Sequence, residues 1–204
     1  MDSKPGWPAP DRAKVLGDDR VTLVPLDWVT HGVPLWKAAS PEANGTDVFH
    51  YLMGTGPFSG QADYLAHLRK VAAAPDLAYT VIRSLGNEVV GSASLLNIRP
   101  EHGAVEVGSI WYAKKAQRTE VNTHAMFALF SYVFDELGYR RLEWKCNNEN
   151  EPSKAAALRL GFQYEGLFRQ HVWVKGRNRD TAWYSIIDGE WPAVKQRFVD
   201  QLLR

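Results

Sequence analysis

Hydrophobic positions change their spacing several times along the chain, and these changes predict the order of strands and helices. Alternation, or short runs of β-branched and aromatic residues, predicts a strand, whereas recurrence about every 3.6 residues predicts a helix. Strands are predicted at 20–26, 77–85, 89–98, 104–112, 140–146, 163–174 and 181–187. Helices are predicted over 28–39, between Ser59 and Pro75, over 121–137, from Pro152 to Gly161, and from about Glu190 onward.

Glycine, proline and asparagine mark where these elements break or turn. Gly32 and Pro34 interrupt the first helical pattern, so we expect that helix to be broken. The stretch 40–60 predicts a long loop with one short helical turn, and Ser59 resembles the N-cap of the next helix. Gly86-Asn87 suits a tight hairpin because both residues tolerate positive φ. A basic turn at 175–179 joins the last two strands.

Strands and helices mixed along one chain favour a single core. The expected fold class is α/β (α+β mixed), with one twisted mixed sheet of about six to seven strands and helices on both faces. With 204 residues, of which 45% are hydrophobic, the chain suits one domain, placed at 18–204. Residues 1–17 begin polar and proline-rich, without the apolar core of a signal peptide, and predict a flexible arm.

Composition excludes several classes of function. The chain has 24 Lys+Arg and 23 Asp+Glu, for a net charge of +1, so no global field steers it toward nucleic acid or an anionic membrane. Cys146 is the only cysteine, which excludes an internal disulfide and fits a reducing, cytoplasmic compartment. The six histidines show no metal-ligand spacing, and we expect no metal.

The strand at 104–112 and the helix after it carry the first chemical signal. Gly108-Ser109 within the strand predicts a bulge that leaves backbone groups unpaired. An extended ligand rich in amides, such as the pantetheine arm of coenzyme A, can pair with such an edge. The turn 117–122 then enters a helix, whose first N–H groups and positive dipole end suit a pyrophosphate.

At these residues the sequence resembles the GNAT superfamily of N-acetyltransferases, and within it the RimJ/RimL-like branch. The family's pyrophosphate loop, Gln/Arg-x-x-Gly-x-Gly/Ala, aligns with 117–122, where Glu120 and Asn122 replace the glycines. Asn122 is compatible because asparagine visits left-handed conformations, whereas Glu120 places a carboxylate beside two phosphates. Further matches are Asn150 and Ser153, Leu160-Gly161-Phe162, Asp180-Thr181, Tyr184-Ser185-Ile186 and Glu190-Trp191.

The resemblance implies acetyl-CoA as co-substrate and an amine as acceptor. It implies that Glu106 is a general base acting through water and that Ser153 protonates the leaving thiolate. The N–H of a residue near 109–111 would polarise the thioester carbonyl. The implied cofactor-binding residues are Ile110, Trp111, Tyr112, Gln117, Arg118, Thr119, Glu120, Val121, Asn122, Thr123, Asn150 and Ser153.

Each role has a structural alternative. Glu106 could be a surface carboxylate, on the same face as Gly108 and Ile110 if alternation is unbroken. Ser153 could be an ordinary first-turn residue and Asn150 an N-cap. His124 is expected to be exposed, and Cys146 to be inert packing.

The function also has rivals. One rival is a noncatalytic acyl-CoA-binding or regulatory module, in which Glu120 weakens the donor site. Another is an enzyme of the same fold that uses a longer acyl-CoA as its donor. The acceptor could be a protein N-terminus, an amino acid or an amino-bearing small molecule, and the basic turn at 175–179 favours one with a carboxylate or phosphate. Exposed aromatics near the C-terminus could support a homodimer.

Overall fold

The computed structural model describes residues 6–203, and its strands form one sheet. The strands are β1 (Leu16–Gly17), β2 (Val21–Pro25), β3 (Leu77–Arg83), β4 (Glu88–Arg99), β5 (Ala104–Tyr112), β6 (Arg141–Asn147), β7 (Gln163–Val174) and β8 (Arg177–Ile187). Their order in the sheet is β1-β2-β3-β4-β5-β6-β8-β7. The sequence predicts six to seven strands rather than eight because β1, with two residues, is too short to show a period.

Six α-helices accompany the sheet in the described part of the chain. They are α1 (Trp28–Ala39), α2 (Pro41–Asn44), α3 (Gln61–Ala72), α4 (Val121–Ser131), α5 (Glu151–Arg159) and α6 (Trp191–Arg197). A wider π-helical turn extends α4 through Tyr132–Glu136, and another extends α6 through Phe198–Leu202. The predicted mixed α/β fold with helices on both faces is confirmed.

Two buried clusters cover opposite faces of the sheet. The larger cluster joins inward residues of β1 to β6 and of β8 with α4, including Val105, Met126 and Leu142. The smaller cluster joins α1, α3 and the loop between them, and it includes Leu35, Phe49, Tyr64 and Trp111. We call these the large core and the small core.

Several boundaries differ from those predicted. Helix α1 runs unbroken through Gly32 and Pro34. A side chain at Gly32 would lie 2.4 Å from Leu65 Cδ2, so glycine there permits close packing of α1 on α3 rather than ending the helix. Helix α3 is capped by Gly60, not Ser59; the Ser59 N–H and hydroxyl instead donate to Asp63 Oδ2.

Strand β8 begins four residues earlier than predicted. The turn between β7 and β8 is only Lys175-Gly176, with φ of 51° and 77°. Residues 177–179, expected in the turn, pair with β7 at Val174, Trp173 and Val172. Polar and basic side chains are common in an exposed hairpin, so composition there did not distinguish turn from strand.

The N-terminal segment lies against the domain where the structure describes it. Trp7 donates from its backbone N–H to Pro100 O at 3.1 Å and from Nε1 to Gly138 O at 2.6 Å. The Asp11 N–H donates to the Tyr132 hydroxyl, and Arg12 donates to three carbonyls in 74–76. The flexible arm expected over 1–17 is therefore docked from Trp7, and residues 1–5 of it fall outside the described part.

Candidate functional site

A cleft opens inside the sheet between β5 and β6. This is the one parallel strand pair in the described chain, and its register covers only Ala104–Glu106 against Arg141–Glu143. Beyond those three positions β5 continues to Tyr112 and β6 to Asn147 without pairing to each other. The facing strand edges therefore carry backbone donors and acceptors that a ligand can use.

The predicted bulge in β5 is present at this cleft. Ser92 of β4 pairs with Trp111 and Ser94 with Gly108, so Ala93 alone faces two residues of β5. Ser109 has a φ of 49°, in the left-handed region. The bulge also breaks the alternation: Ile110 and Tyr112 contact the large core, whereas Trp111 enters the small core.

The bulge corrects the expected placement of Ile110. Ile110 does not share a face with Glu106, because the inserted residue shifts every later side chain of β5. The side chains of Trp111 and Tyr112 are buried, and burial raises the pKa of Tyr112. These residues can therefore meet a ligand only through their backbones.

The segment 117–123 forms a turn and the first turn of α4. Arg118 has a φ of 60°, so the left-handed residue of this turn is Arg118, and Asn122 is helical. Glu120 is the N-cap residue; its side chain is exposed and makes no capping hydrogen bond. The Gln117 amide donates to Tyr112 O at 2.9 Å, and the Thr119 hydroxyl donates to Ala116 O at 2.7 Å.

These two hydrogen bonds fix the conformation of the turn at the end of the cleft. The Val121 N–H donates to Thr119 Oγ1 at 3.4 Å. Because the first N–H groups of an α-helix have no intrahelical acceptor, Asn122 and Thr123 present donors there. The Thr123 side chain is buried and accepts from Arg159 at 3.0 Å, so Thr123 also offers only its backbone to a ligand.

Asn150 and Ser153 lie across the cleft, at the start of α5. Asn150 is the N-cap, and its side chain accepts from the Ser153 N–H at 3.1 Å. Ser153 Oγ accepts from Trp144 Nε1 at 3.1 Å. Burial raises the pKa of Cys146, while a hydrogen bond from Ser153 lowers it. The Ser153 hydroxyl therefore sits between an indole and a thiol, on the side of β6 that faces the large core.

Glu106 lies on the opposite side of the sheet. It is 7% exposed, and its Oε2 accepts from Asn97 Nδ2 at 2.6 Å and from Lys145 Nζ at 2.8 Å. It is thus not the exposed surface carboxylate of the structural alternative. Glu106 and Ser153 project from opposite faces, so they meet only through the cleft.

A network of charges surrounds Glu106. Glu143 is 4% exposed; it pairs with Arg99 at 2.7 Å, with Arg141 at 2.9 Å and with Lys145 at 3.0 Å. Burial alone would raise the Glu143 pKa, but hydrogen bonds from the three cations hold it at about 2. Arg141 also binds Glu165 through both terminal nitrogens, at 2.7 and 2.6 Å. We call these six residues, Arg99, Glu106, Arg141, Glu143, Lys145 and Glu165, the ion network.

Sequence reasoning missed most of this network. Lys145 also lies 4.2 Å from the centroid of the Trp183 ring. The available signal was the alternation of Arg141, Glu143 and Lys145 in one strand, which indicated a solvated face. The partner charges come from β4, β5 and β7, and no local pattern connects those segments.

The structure also corrects the prediction for His124. This residue was expected to be exposed, but it is buried, with 8% of its surface exposed, and its Nδ1 lies 2.6 Å from Asp18 Oδ2. Asp18 comes from the turn between β1 and β2, which covers the first turn of α4.

Residues 6–203 contain no group of His, Cys, Asp and Glu able to hold a metal. They also contain no helix that is long and apolar enough to span a membrane.

A mixed sheet split between β5 and β6, with a helix N-terminus at the end of the split, defines an acyltransferase of the N-acetyltransferase type. The model of the acetyltransferase (GNAT) domain matches residues 22–163, and the chain belongs to this family. A GCN5-related N-acetyltransferase from Brucella melitensis is 42% identical, with a TM-score of 0.91 over 99% of this chain and 90% of that one.

Further relatives agree with the RimJ/RimL-like branch. The ribosomal-protein-serine acetyltransferase of Escherichia coli is 30% identical over 105 residues, which are 51% of this chain and 58% of that protein. The matches span between 56% and 63% of the length of the four curated relatives. RimJ of Mycobacterium smegmatis, solved with CoA-disulfide, shares the fold at 20% identity, with a TM-score of 0.74 over 91% and 92% of the two chains.

Proposed function

We propose that this protein transfers an acetyl group from acetyl-CoA to a primary amine by direct transfer in a ternary complex. The observation that carries the proposal is the three-residue pairing of β5 with β6, after which both strands leave backbone groups open along one cleft. The family's use of acetyl-CoA supports the same donor.

The donor site is assigned to the cleft and its two ends. The backbones of Ile110, Trp111 and Tyr112 would pair with the amides of the pantetheine arm. Within 117–123, the N–H groups that make no bond inside the turn, such as those of Asn122 and Thr123, would bind the pyrophosphate at the start of α4. Asn150 and Ser153 border the other strand, where the Asn150 side chain also caps α5. Acetyl-CoA supplies the activated acetyl thioester.

The acceptor is assigned to the face that carries Glu106. An alkyl ammonium must lose a proton before its nitrogen can attack the thioester carbonyl. Glu106 is held by Asn97 and Lys145 at the point where β5 and β6 separate, and it can take this proton through a water molecule. The leaving thiolate gains a proton on the other side, where Ser153 is the candidate acid.

Calorimetry with acetyl-CoA, followed by a thiol-release assay over a panel of amines, tests the proposal. We expect binding and amine-dependent release of coenzyme A. Binding without release on any amine would instead support the noncatalytic module. Comparison of acetyl-CoA with longer acyl-CoA donors in the same assay tests the chain length.

Glu106→Gln tests the general base. The amide keeps the shape and can still accept from Asn97, but it cannot take a proton. We expect kcat/KM to fall about 100-fold or more at pH values where the amine is protonated, and to recover at higher pH. A loss of equal size at every pH would contradict the base role. Asn97→Ala, which removes only a neutral donor to Glu106, is the matched control for position.

A further inference from the structure

Arg179 is a buried cation without a carboxylate partner. It is 6% exposed, and its Nε and Nη1 atoms are buried with no hydrogen-bond partner. No ion pair involves it within residues 6–203. Burial is the largest influence on the pKa of Arg179, and it lowers that pKa. A guanidinium in this state is costly unless an anion joins it.

The position of Arg179 places it on the acceptor side of the cleft. It lies in β8 on the same side as Thr181 and Trp183, because side chains two apart in a strand share a face. Trp183 in turn faces Lys145, which binds Glu106. Trp183 Nε1 is a second buried donor on this face with no partner. Arg179 and Trp183 thus carry unused donors on the face of the sheet that holds the proposed base.

The charges of this face leave Arg179 unbalanced. In the ion network three cations face three carboxylates, and their contacts are mutual. Arg177, two residues earlier, is paired with Glu149 at 3.1 Å. The Asp180 carboxylate accepts from the Gln170 N–H at 2.7 Å. Arg179 therefore adds one uncompensated positive charge to this face of the sheet.

We propose that Arg179, with the Trp183 indole N–H, binds a carboxylate of the acceptor and so selects amines that carry one. A guanidinium presents parallel N–H donors that match a carboxylate in two hydrogen bonds. The inference rests on the proposed function, since it specifies which amines that site accepts. It also explains why a buried cation is retained on a face whose other charges are balanced.

The first test uses matched acceptors. The two members of each pair differ only in a carboxylate or its amide. One set of pairs consists of free amino acids, and the other consists of short peptides with Asp or Asn in second place. The two sets distinguish the carboxylate of an amino acid from a side-chain carboxylate of a peptide. We expect kcat/KM of the natural protein to favour the acid member at least tenfold. In Arg179→Met this ratio should fall about tenfold or more. Arg169→Met, which removes an exposed cation from β7, is the control and should keep the ratio.

The second test needs no turnover. Because Arg179→Met removes an uncompensated buried charge, the free protein should melt a few degrees higher. N-acetylglycine in the presence of coenzyme A should raise the melting temperature of the natural protein more than N-acetylglycinamide does, and Arg179→Met should abolish that difference. If no amine is acetylated, the proposed function fails while these melting shifts still decide the carboxylate site.

Three results would overturn the inference. One is an unchanged acid-to-amide ratio in Arg179→Met. Another is a lower melting temperature for that variant without ligand, which would make Arg179 a structural residue. The third is a large loss of coenzyme A affinity, which would assign the guanidinium to the donor's phosphates. If Arg179→Met does not fold, Arg179→Gln carries the same expectations.

Discussion

Glu120 occupies the position at which the family's loop has its first glycine, and its exposed side chain sits beside the first turn of α4. We expect Glu120→Gly to lower the Kd for coenzyme A about threefold at low salt, because a carboxylate near the pyrophosphate is repulsive and exposed charges are screened by salt. Titration calorimetry at two ionic strengths measures this. Glu120→Gln isolates the charge from the side chain; equal affinities for all three proteins would show that Glu120 points harmlessly outward.

The charge of Glu143 makes the stability contributed by the ion network depend on pH. Its folded pKa of about 2 lies below its ordinary value of 4.5. The network therefore stabilises the fold fully above about pH 4.5, and that contribution is lost as pH falls toward 2. We expect Glu143→Gln to lower the free energy of unfolding by about 3 kcal/mol at pH 7. In urea titrations the gap between the two proteins should close between pH 4.5 and 2.

Glu101→Gln, at an exposed carboxylate, is the control for that measurement and should leave stability unchanged. A gap that stays constant down to pH 2 would show that the Glu143 charge does not carry the effect.

Individual residues were the least predictable from sequence. The N-cap role of Asn150 and the buried Cys146 are confirmed, because each depends on near neighbours in the chain. His124 was wrongly expected to be exposed because the covering residue, Asp18, is 106 positions away. The roles of Glu106 and Ser153 in catalysis stay predictions.

At the scale of elements, the bulge in β5 sets the geometry of the cleft. A left-handed φ at Ser109 costs about 1–3 kcal/mol for a residue with a side chain, and most for a β-branched one. Since Ser109 is exposed, its substitution changes backbone preference with little loss of packing. We expect Ser109→Gly to keep stability within about 0.5 kcal/mol and Ser109→Val to lose about 1–2 kcal/mol.

Thermal denaturation and coenzyme A titration of both variants measure these effects, and Ser109→Val should also bind the donor more weakly. Equal stability of the two variants would show that the bulge imposes no conformational demand at this residue.

Element prediction succeeded where local periodicity and turn residues agreed. The apolar stripe of α4 and its stop at Gly138, with a φ of 64°, follow directly from the sequence. So do β5 and the Gly86-Asn87 hairpin. The start of β8 and the continuity of α1 did not, because pairing with β7 and packing on α3 outweigh local propensity.

At the scale of the whole molecule, the docked N-terminal segment packs where β4 ends and near the starts of β5 and β6. A Cβ on Gly103 would lie 2.5 Å from the Trp7 ring, so the indole packs directly on that glycine. Losing these contacts should cost about 2 kcal/mol. We expect Trp7→Ala to lower Tm by about 4–8 °C. Trp7→Phe, which keeps a ring but loses the bond to Gly138, should lie between; an unchanged Tm in Trp7→Ala would show that the docking adds no stability.

The short pairing of β5 with β6 has a thermodynamic consequence. The eight strands form one sheet, but the part from β1 to β5 and the part from β6 to β8 share only three paired positions. A molecule bound between the two parts therefore takes the place of a strand. Ligand bound only by the folded state adds about 2.7 kcal/mol of stability at 100 times its Kd. The folded fraction, and with it resistance to proteolysis, should therefore rise and fall with the supply of acyl donor around the protein.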